Sequence, residues 1–167
     1  MKTLRLALFV AVSVIMNAAY AASVKMQVPA LQGTVQSQDL RLITVEPYIG
    51  CTLHDGAELV NGQRQESLNT QLAWQNPTTV QFQTAAATVK LTKWLTSGGA
   101  CYAGVHLFAA DAQNQMYERY LHVAATSRMD AKDLQAYVDS QAWQDEVRAA
   151  FQNINVILFY GGIELRK

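Results

Sequence analysis

Two cysteines, Cys51 and Cys101, are the only ones in the chain, and they restrict its fold more than any other pair of residues. In an oxidising compartment such a pair forms a disulfide, and the alternative is a pair of buried free thiols. A bridge between positions 50 residues apart stabilises a domain by about 4 kcal/mol. Because bridged Cα atoms lie about 5–6 Å apart, we expect residues 48–56 to lie beside residues 97–102.

Residues 1–21 predict that oxidising compartment, because they have the three parts of a secretory signal peptide. These parts are a positive start at Lys2 and Arg5, an apolar run at 6–16 and a small-x-small cleavage site at 19–21. The apolar run is too short to span a bilayer. We therefore expect a mature chain of residues 22–167 that forms a single globular domain, periplasmic or secreted.

Composition excludes several classes of function for this mature chain. Once Lys2 and Arg5 are removed, it has eleven basic residues against thirteen acidic ones. A nucleic-acid binder would show a clustered basic face, which the sequence lacks. No second apolar stretch is long enough to cross a membrane. Gly161-Gly162 follows an apolar run but leads to no helix, so it is not a dinucleotide-binding loop, and no cofactor is expected.

Alternation of apolar and polar residues predicts about eight strands. We expect them at 23–28, 40–45, 67–75, 79–84, 88–95, 101–109, 115–124 and 153–160, with a short terminal strand at 163–165. Pro47 and Gly50 are expected to end or bend the second strand, and Asn61-Gly62 and Asn76-Pro77 are turn signals. With a tight turn at residues 97–99, the three strands between 88 and 124 are predicted to form an antiparallel meander.

The pattern changes after Ser127, where residues 131–152 have a helical composition and an apolar stripe. Asp130 is the expected N-cap, and Asp139-Ser140 marks a kink or a second helix start. The predicted fold is therefore α+β: a mostly antiparallel sheet or sandwich, with a C-terminal helical segment packed on it and a final strand after the helix.

The predicted disulfide also points to the best candidate for a working surface. It brings two glycine-containing segments and several polar side chains together. We take this region as the candidate partner-contact surface, with the residues Tyr48, His54, Asp55, Ser97, Gly98, Gly99 and Tyr102. The simpler interpretation is that the bridge only pins a loop to a strand.

The histidines do not predict a metal site. If Ala110 opposes Gln115 in the predicted hairpin, His106 and His122 lie on opposite faces of the sheet and cannot share a metal ion. A register change of one residue would alter this result. No serine lies in a nucleophile elbow, and the acidic pairs have the pattern of solvated charges, so no catalytic residue is assigned.

The tyrosines of the same hairpin suggest binding rather than chemistry. With the register above, Tyr102 and Tyr117 share one face, and Tyr120 lies on the other. Tyrosine is favoured at protein interfaces, although it is equally favoured in strands.

The leading functional hypothesis is an exported, non-enzymatic domain that binds a protein partner in a bacterial-type envelope, as an inhibitor, immunity or accessory protein. A second hypothesis is a domain that binds a small apolar ligand in a pocket near Trp94, Trp143 and Tyr137. A third is a hydrolase with a site near His54 and Asp55. The oligomeric state is left open.

Overall fold

A computed structural model describes residues 23–55, 58–92 and 98–166, with the backbone alone for residues 23, 53–55, 58–65 and 92. The predicted signal peptide lies outside these residues. The described part contains eleven strands and two helices. The predicted α+β class is therefore confirmed, whereas the expected number of about eight strands is too low.

The elements follow one another along the chain as β1 Ser23–Val28, β2 Gln32–Ser37, β3 Arg41–Asp55, β4 Glu58–Ser67, β5 Thr70–Asn76, β6 Thr79–Thr84, β7 Ala87–Thr92, β8 Gly99–Ala110, β9 Met116–Ala125, α1 Ala131–Val138, α2 Gln141–Phe151, β10 Ile154–Phe159 and β11 Gly162–Arg166. They form a two-stranded sheet β1-β7, a five-stranded sheet β11-β10-β2-β6-β5 and a four-stranded sheet β4-β3-β8-β9. Among the described strands, only β2 and β10 pair in parallel.

The two helices begin where the sequence predicts. The Asp130 side chain accepts a hydrogen bond from the Asp133 N–H (2.9 Å), and the Ser140 hydroxyl accepts one from the Trp143 N–H (3.3 Å). Each cap satisfies a donor that the first turn of a helix leaves open. α1 packs on β1 and β8, and α2 packs on β1 and β9. Leu134 and Trp143 are fully buried there, so both helices contribute to the shared core.

Strand β3 runs through Pro47 and Gly50, so these residues do not end it, which was one of the two predicted alternatives. The Pro47 carbonyl accepts a hydrogen bond from the Leu68 N–H (2.8 Å), so it points towards the β4 side of the sheet. In an antiparallel strand the N–H of a residue points to the same side as its C=O. The N–H that proline lacks would point to Leu68, just past the end of β4 at Ser67, and the Leu68 carbonyl instead accepts a hydrogen bond from the Thr70 hydroxyl (2.7 Å).

One strand was not predicted, and one predicted turn is wrong. β2 has no expected counterpart, because its inward positions are Gly33, Val35 and Ser37, of which only Val35 gives an apolar signal. Asn61-Gly62 lies inside β4 rather than in a turn. It falls opposite an irregularity between Thr52 and His54, where the register of β3 and β4 shifts.

The predicted meander is correct only for its second hairpin. β8 pairs with β9 as expected, but β7 pairs with β1. The other edge of β8 is taken by β3. A strand has two edges, so no edge of β8 is left for β7.

Candidate functional site

The disulfide fixes the register of the four-stranded sheet. Cys51 and Cys101 are bridged and lie directly opposite each other on β3 and β8, with Cα atoms 4.0 Å apart. The N–H and C=O of Cys101 both bond to Thr126, on the far side from β3. The cysteines are therefore a non-hydrogen-bonded pair, the type in which opposite side chains approach most closely. The predicted bridge and the predicted neighbourhood of the two segments are both confirmed.

This register places each of two tyrosines opposite a glycine. Tyr48 on β3 faces Gly104 on β8, and Gly50 on β3 faces Tyr102 on β8. A Cβ atom built on Gly50 would lie 2.5 Å from the Tyr102 ring, and one on Gly104 would lie 2.8 Å from the Tyr48 ring. The rings therefore lie across the sheet in space that only glycine leaves free.

Two histidines complete a continuous layer of rings on the side of the sheet away from the core. His122 stacks on Tyr102 with ring centroids 4.2 Å apart and planes 9° apart. Tyr120 stacks on His106 at 3.9 Å and 10°. Tyr48 lies between the stacks, with its ring edge-on to Tyr102 at 5.9 Å and to Tyr120 at 5.8 Å. We name these five residues the Tyr/His face.

The Tyr/His face has a buried base and an exposed top. Tyr48, Tyr102 and His106 are 1%, 3% and 7% exposed, whereas Tyr120 is 45% exposed and His122 is also exposed. Edge-to-face and stacked aromatic pairs add about 0.5–1.5 kcal/mol each beyond their area burial. The exposed rings are therefore held in place by the buried ones.

Carboxylates hold His106 from two sides. Glu118 Oε1 lies 2.7 Å from His106 Nε2 and accepts a hydrogen bond from the Tyr120 hydroxyl (2.8 Å). Glu46 Oε2 lies 3.8 Å from His106 Nδ1 and accepts a hydrogen bond from the Ser67 hydroxyl (3.3 Å). The bonds from Tyr120 and then His106 lower the pKa of Glu118. Both ring nitrogens of His106 therefore face carboxylates, and this arrangement orients rings rather than presenting a free base to a substrate.

The Tyr48 hydroxyl takes no part in this hydrogen-bond network. It is buried and has no hydrogen-bond partner among the described residues. Burial, followed by the neighbouring tyrosines, raises the pKa of Tyr48 well above its usual value. An unpaired buried hydroxyl costs about 1–3 kcal/mol, and such groups in native structures are often found at functional positions.

The structure brings together part of the predicted partner-contact surface. Tyr48 and Tyr102 lie side by side in the Tyr/His face. Gly98 and Gly99 are buried, and Gly99 exchanges two backbone hydrogen bonds of 2.9 Å with Met129. The side chains of His54 and Asp55, and all of Ser97, lie outside the described residues.

The sequence reasoning missed His106, Tyr120 and His122 because its hairpin register was wrong by one residue. Ala110 faces Met116, and the register shifts between Ala103 and Gly104. His106 and His122 therefore share one face, as do Tyr102 and Tyr120, and both predictions of opposite faces are corrected. A tyrosine followed by glycine two positions later, at 48–50 and again at 102–104, was the available signal. Combined with the disulfide register, it places each tyrosine over a glycine.

Two of the three residues near which an apolar-ligand pocket was predicted are described. Trp143 is fully buried and its ring lies 6.3 Å from that of Tyr137, while Trp94 lies outside the described residues. A cavity of about 660 Å³ lies on the five-stranded sheet, and eight of its thirteen lining residues are polar. Among the described residues, no three His, Cys, Asp or Glu side chains are placed to bind a metal ion together. No described helix is long and apolar enough to cross a membrane.

Comparison with known proteins adds no assignment: no family model, no curated protein and no solved structure matches this chain.

Proposed function

We propose that this protein is an exported, non-enzymatic domain that binds a protein partner in a bacterial-type envelope through its Tyr/His face. The observation that carries the proposal is the exposed pair Tyr120 and His122, each stacked on a buried ring. Tyrosine is enriched among the residues that dominate binding energy at interfaces.

The rigidity of this surface favours macromolecular binding. The rings stand on strands β3, β8 and β9 rather than on loops, and the disulfide joins β3 to β8. Side chains that are ordered before binding lose little conformational entropy when a partner docks. A flat and already ordered aromatic surface suits a protein partner better than a small ligand, which needs a concave site.

The charges around the rings indicate the chemistry of the partner. Glu46 and Glu118 lie at the rim, with side chains 38% and 50% exposed. Partners that bury tyrosine at the centre commonly place complementary charge at the rim. We therefore expect a partner surface with an apolar centre and lysine or arginine at its edge, and association that weakens as salt is raised.

Export is supported by two independent features. The disulfide indicates an oxidising compartment, since such bridges are rare in the cytosol. The sequence of residues 1–21 has the organisation of a signal peptide. An inhibitor, immunity or accessory protein of the envelope would have both features.

Site-specific photocrosslinking in intact cells tests this function. A benzoyl-phenylalanine at position 122 is expected to capture a discrete partner protein, and Tyr120→Ala in that background is expected to reduce capture. In a purified pair, Tyr120→Ala should weaken binding about 30-fold, which corresponds to a loss of about 2 kcal/mol for a central aromatic.

Trp74 supplies the matched control. It is 44% exposed, nearly the same as Tyr120, but lies on β5 of the other sheet. Trp74→Ala should leave binding within about twofold. Equal losses for Tyr120→Ala and Trp74→Ala, or crosslinks from position 74 and none from position 122, would refute the assignment to the Tyr/His face.

A further inference from the structure

The cavity of about 660 Å³ lies on the outer face of the five-stranded sheet, away from the Tyr/His face. Strand register arranges its side chains in two rows that cross the strands. Gln71, Gln83 and Gln32 are directly opposite one another in the first row. Ala73, Gln81, Thr34 and Asn155 form the second. Neighbouring side chains in a row are about 4.8 Å apart, and the rows are about 7 Å apart.

The lining is polar but uncharged. Of its residues, five are glutamine, two are asparagine and one is threonine, and no charged residue lines it in the described part of the chain. The apolar residues between them turn their side chains to the core, as Phe82 and Ile154 show by being almost fully buried. Most ligand pockets are lined mainly by apolar groups, whereas polar residues outnumber apolar ones in this lining, which favours a polar ligand over a lipid. It also offers no counter-charge for an ionic ligand.

The hydrogen-bonding groups of the lining are not used within the protein. Among the described residues, none of the eight polar lining side chains makes a side-chain hydrogen bond. Asn155 Oδ1 is moreover buried with no partner, which is uncommon for a buried acceptor. The terminal torsion of asparagine is broad, so a modest rotation would turn this amide towards the groove.

We propose that this groove binds a neutral, hydroxyl-rich ligand, namely an oligosaccharide chain laid across the strands. Each amide offers two donors and one acceptor, and each sugar hydroxyl both donates and accepts. A peptide would instead add to a strand edge and would need pockets for its side chains. Neutral hydrogen bonds that replace bonds to water contribute little each, and Phe82, the aromatic residue of the lining, is almost fully buried and offers no ring face to a sugar. The affinity is therefore expected to be weak, on the order of millimolar.

Nitrogen-15 NMR of the purified protein tests this inference, because the side-chain amides of glutamine and asparagine give their own signals. The probes are maltohexaose, cellohexaose and chitohexaose, with a hexamer of polygalacturonate as the charged comparison and a polar glycine-serine peptide as the peptide comparison. We expect at least one neutral oligosaccharide to cause saturable shifts confined to the groove amides. The double variant Gln81→Ala/Gln83→Ala should weaken that binding about tenfold.

Gln113→Ala is the matched control, since Gln113 is an exposed glutamine in the turn between β8 and β9, and it should leave the affinity unchanged. The inference is overturned if no neutral probe gives saturable shifts. It is also overturned if the shifts lie outside the groove, or if the charged hexamer or the peptide binds as well. These outcomes do not test partner binding by the Tyr/His face. Gln81→Ala/Gln83→Ala changes only the groove, and Tyr120→Ala changes only the Tyr/His face, so the two proposals can fail separately.

Discussion

The outer faces of the two larger sheets follow the same strand alternation but are built in opposite ways. On β3, β8 and β9 the outward side chains are rings that stack on one another over Gly50 and Gly104. On β5, β6 and β2 they are mainly glutamines, and those that line the groove make no side-chain hydrogen bond among the described residues. The rings of the first face are ordered by contacts with one another, whereas the side-chain amides of the second face are available to bind water.

This difference teaches what each face can bind. An ordered aromatic layer loses little entropy on docking, and it buries apolar area that contributes about 25 cal/mol per Å². Exposed amides exchange bonds with water for bonds with a ligand, which contributes far less. The Tyr/His face is thus suited to tight binding of a protein, and the groove on the five-stranded sheet to weak binding of an oligosaccharide.

Removing the disulfide should have the largest effect and should disturb only the ordered face. We expect the variant Cys51→Ala/Cys101→Ala to lose about 4 kcal/mol of unfolding free energy, because the bridge closes a loop between residues 50 positions apart. Denaturant unfolding measures this loss. Near-ultraviolet circular dichroism should show weaker tyrosine bands, since Tyr48 on β3 and Tyr102 on β8 are held together by the bridged strands.

The reduced wild-type protein separates the cross-link from the packing of the cysteines. It retains both sulfur atoms, so it should lose nearly as much stability as the double variant. If the oxidised and reduced proteins unfold at the same denaturant concentration, the bridge is not what stabilises this sheet.

The sequence predicted the parts of the fold that local pattern and chemistry decide. Asp130 as a cap, the break at Asp139-Ser140 and the cysteine pair were all correct, because each depends on the residue itself or on near neighbours. Strand β2 was missed because Gly33 provides no apolar side chain. The reason for glycine at position 33 is visible only in the fold, where the Phe82 and Ile154 side chains occupy the space that a Cβ atom would need.

The errors around β8 came from a conflict that the sequence already contained. A bridge from Cys101 to Cys51 and a hairpin to β9 together occupy both edges of β8, which excludes the predicted pairing with β7. The register error has a different cause. The Asp111 side chain accepts the N–H groups of Gln113 and Gln115, both at 2.9 Å, and this turn geometry shifts the strand pairing by one residue.

Filling a glycine beneath the rings is expected to have the next largest effect. In Gly104→Ala the new methyl group would collide with the Leu121 carbonyl and with the Tyr48 ring. Overpacking of this kind costs about 1–3 kcal/mol, which thermal unfolding would show as a lower Tm. Gly162→Ala, whose new Cβ meets nothing closer than 3.5 Å, is the matched control and should change Tm little. Equal shifts for the two variants would mean that ring packing over Gly104 does not order this face.

The smallest expected effect is a pH dependence of the ordered face. The hydrogen bond from Tyr120, followed by that from His106, lowers the pKa of Glu118 in the folded protein. A lowered folded pKa stabilises the protein above the unfolded pKa of about 4.3, and this contribution is lost as pH falls through the folded value. The Tm difference between wild type and Glu118→Gln should therefore be largest near neutral pH and should close in acid. Tyr120→Phe removes one of the two bonds to Glu118, so the Tm difference between Tyr120→Phe and its Glu118→Gln double variant should be smaller. A gap that stays constant with pH would show that Glu118 does not couple the rings of this face through its charge.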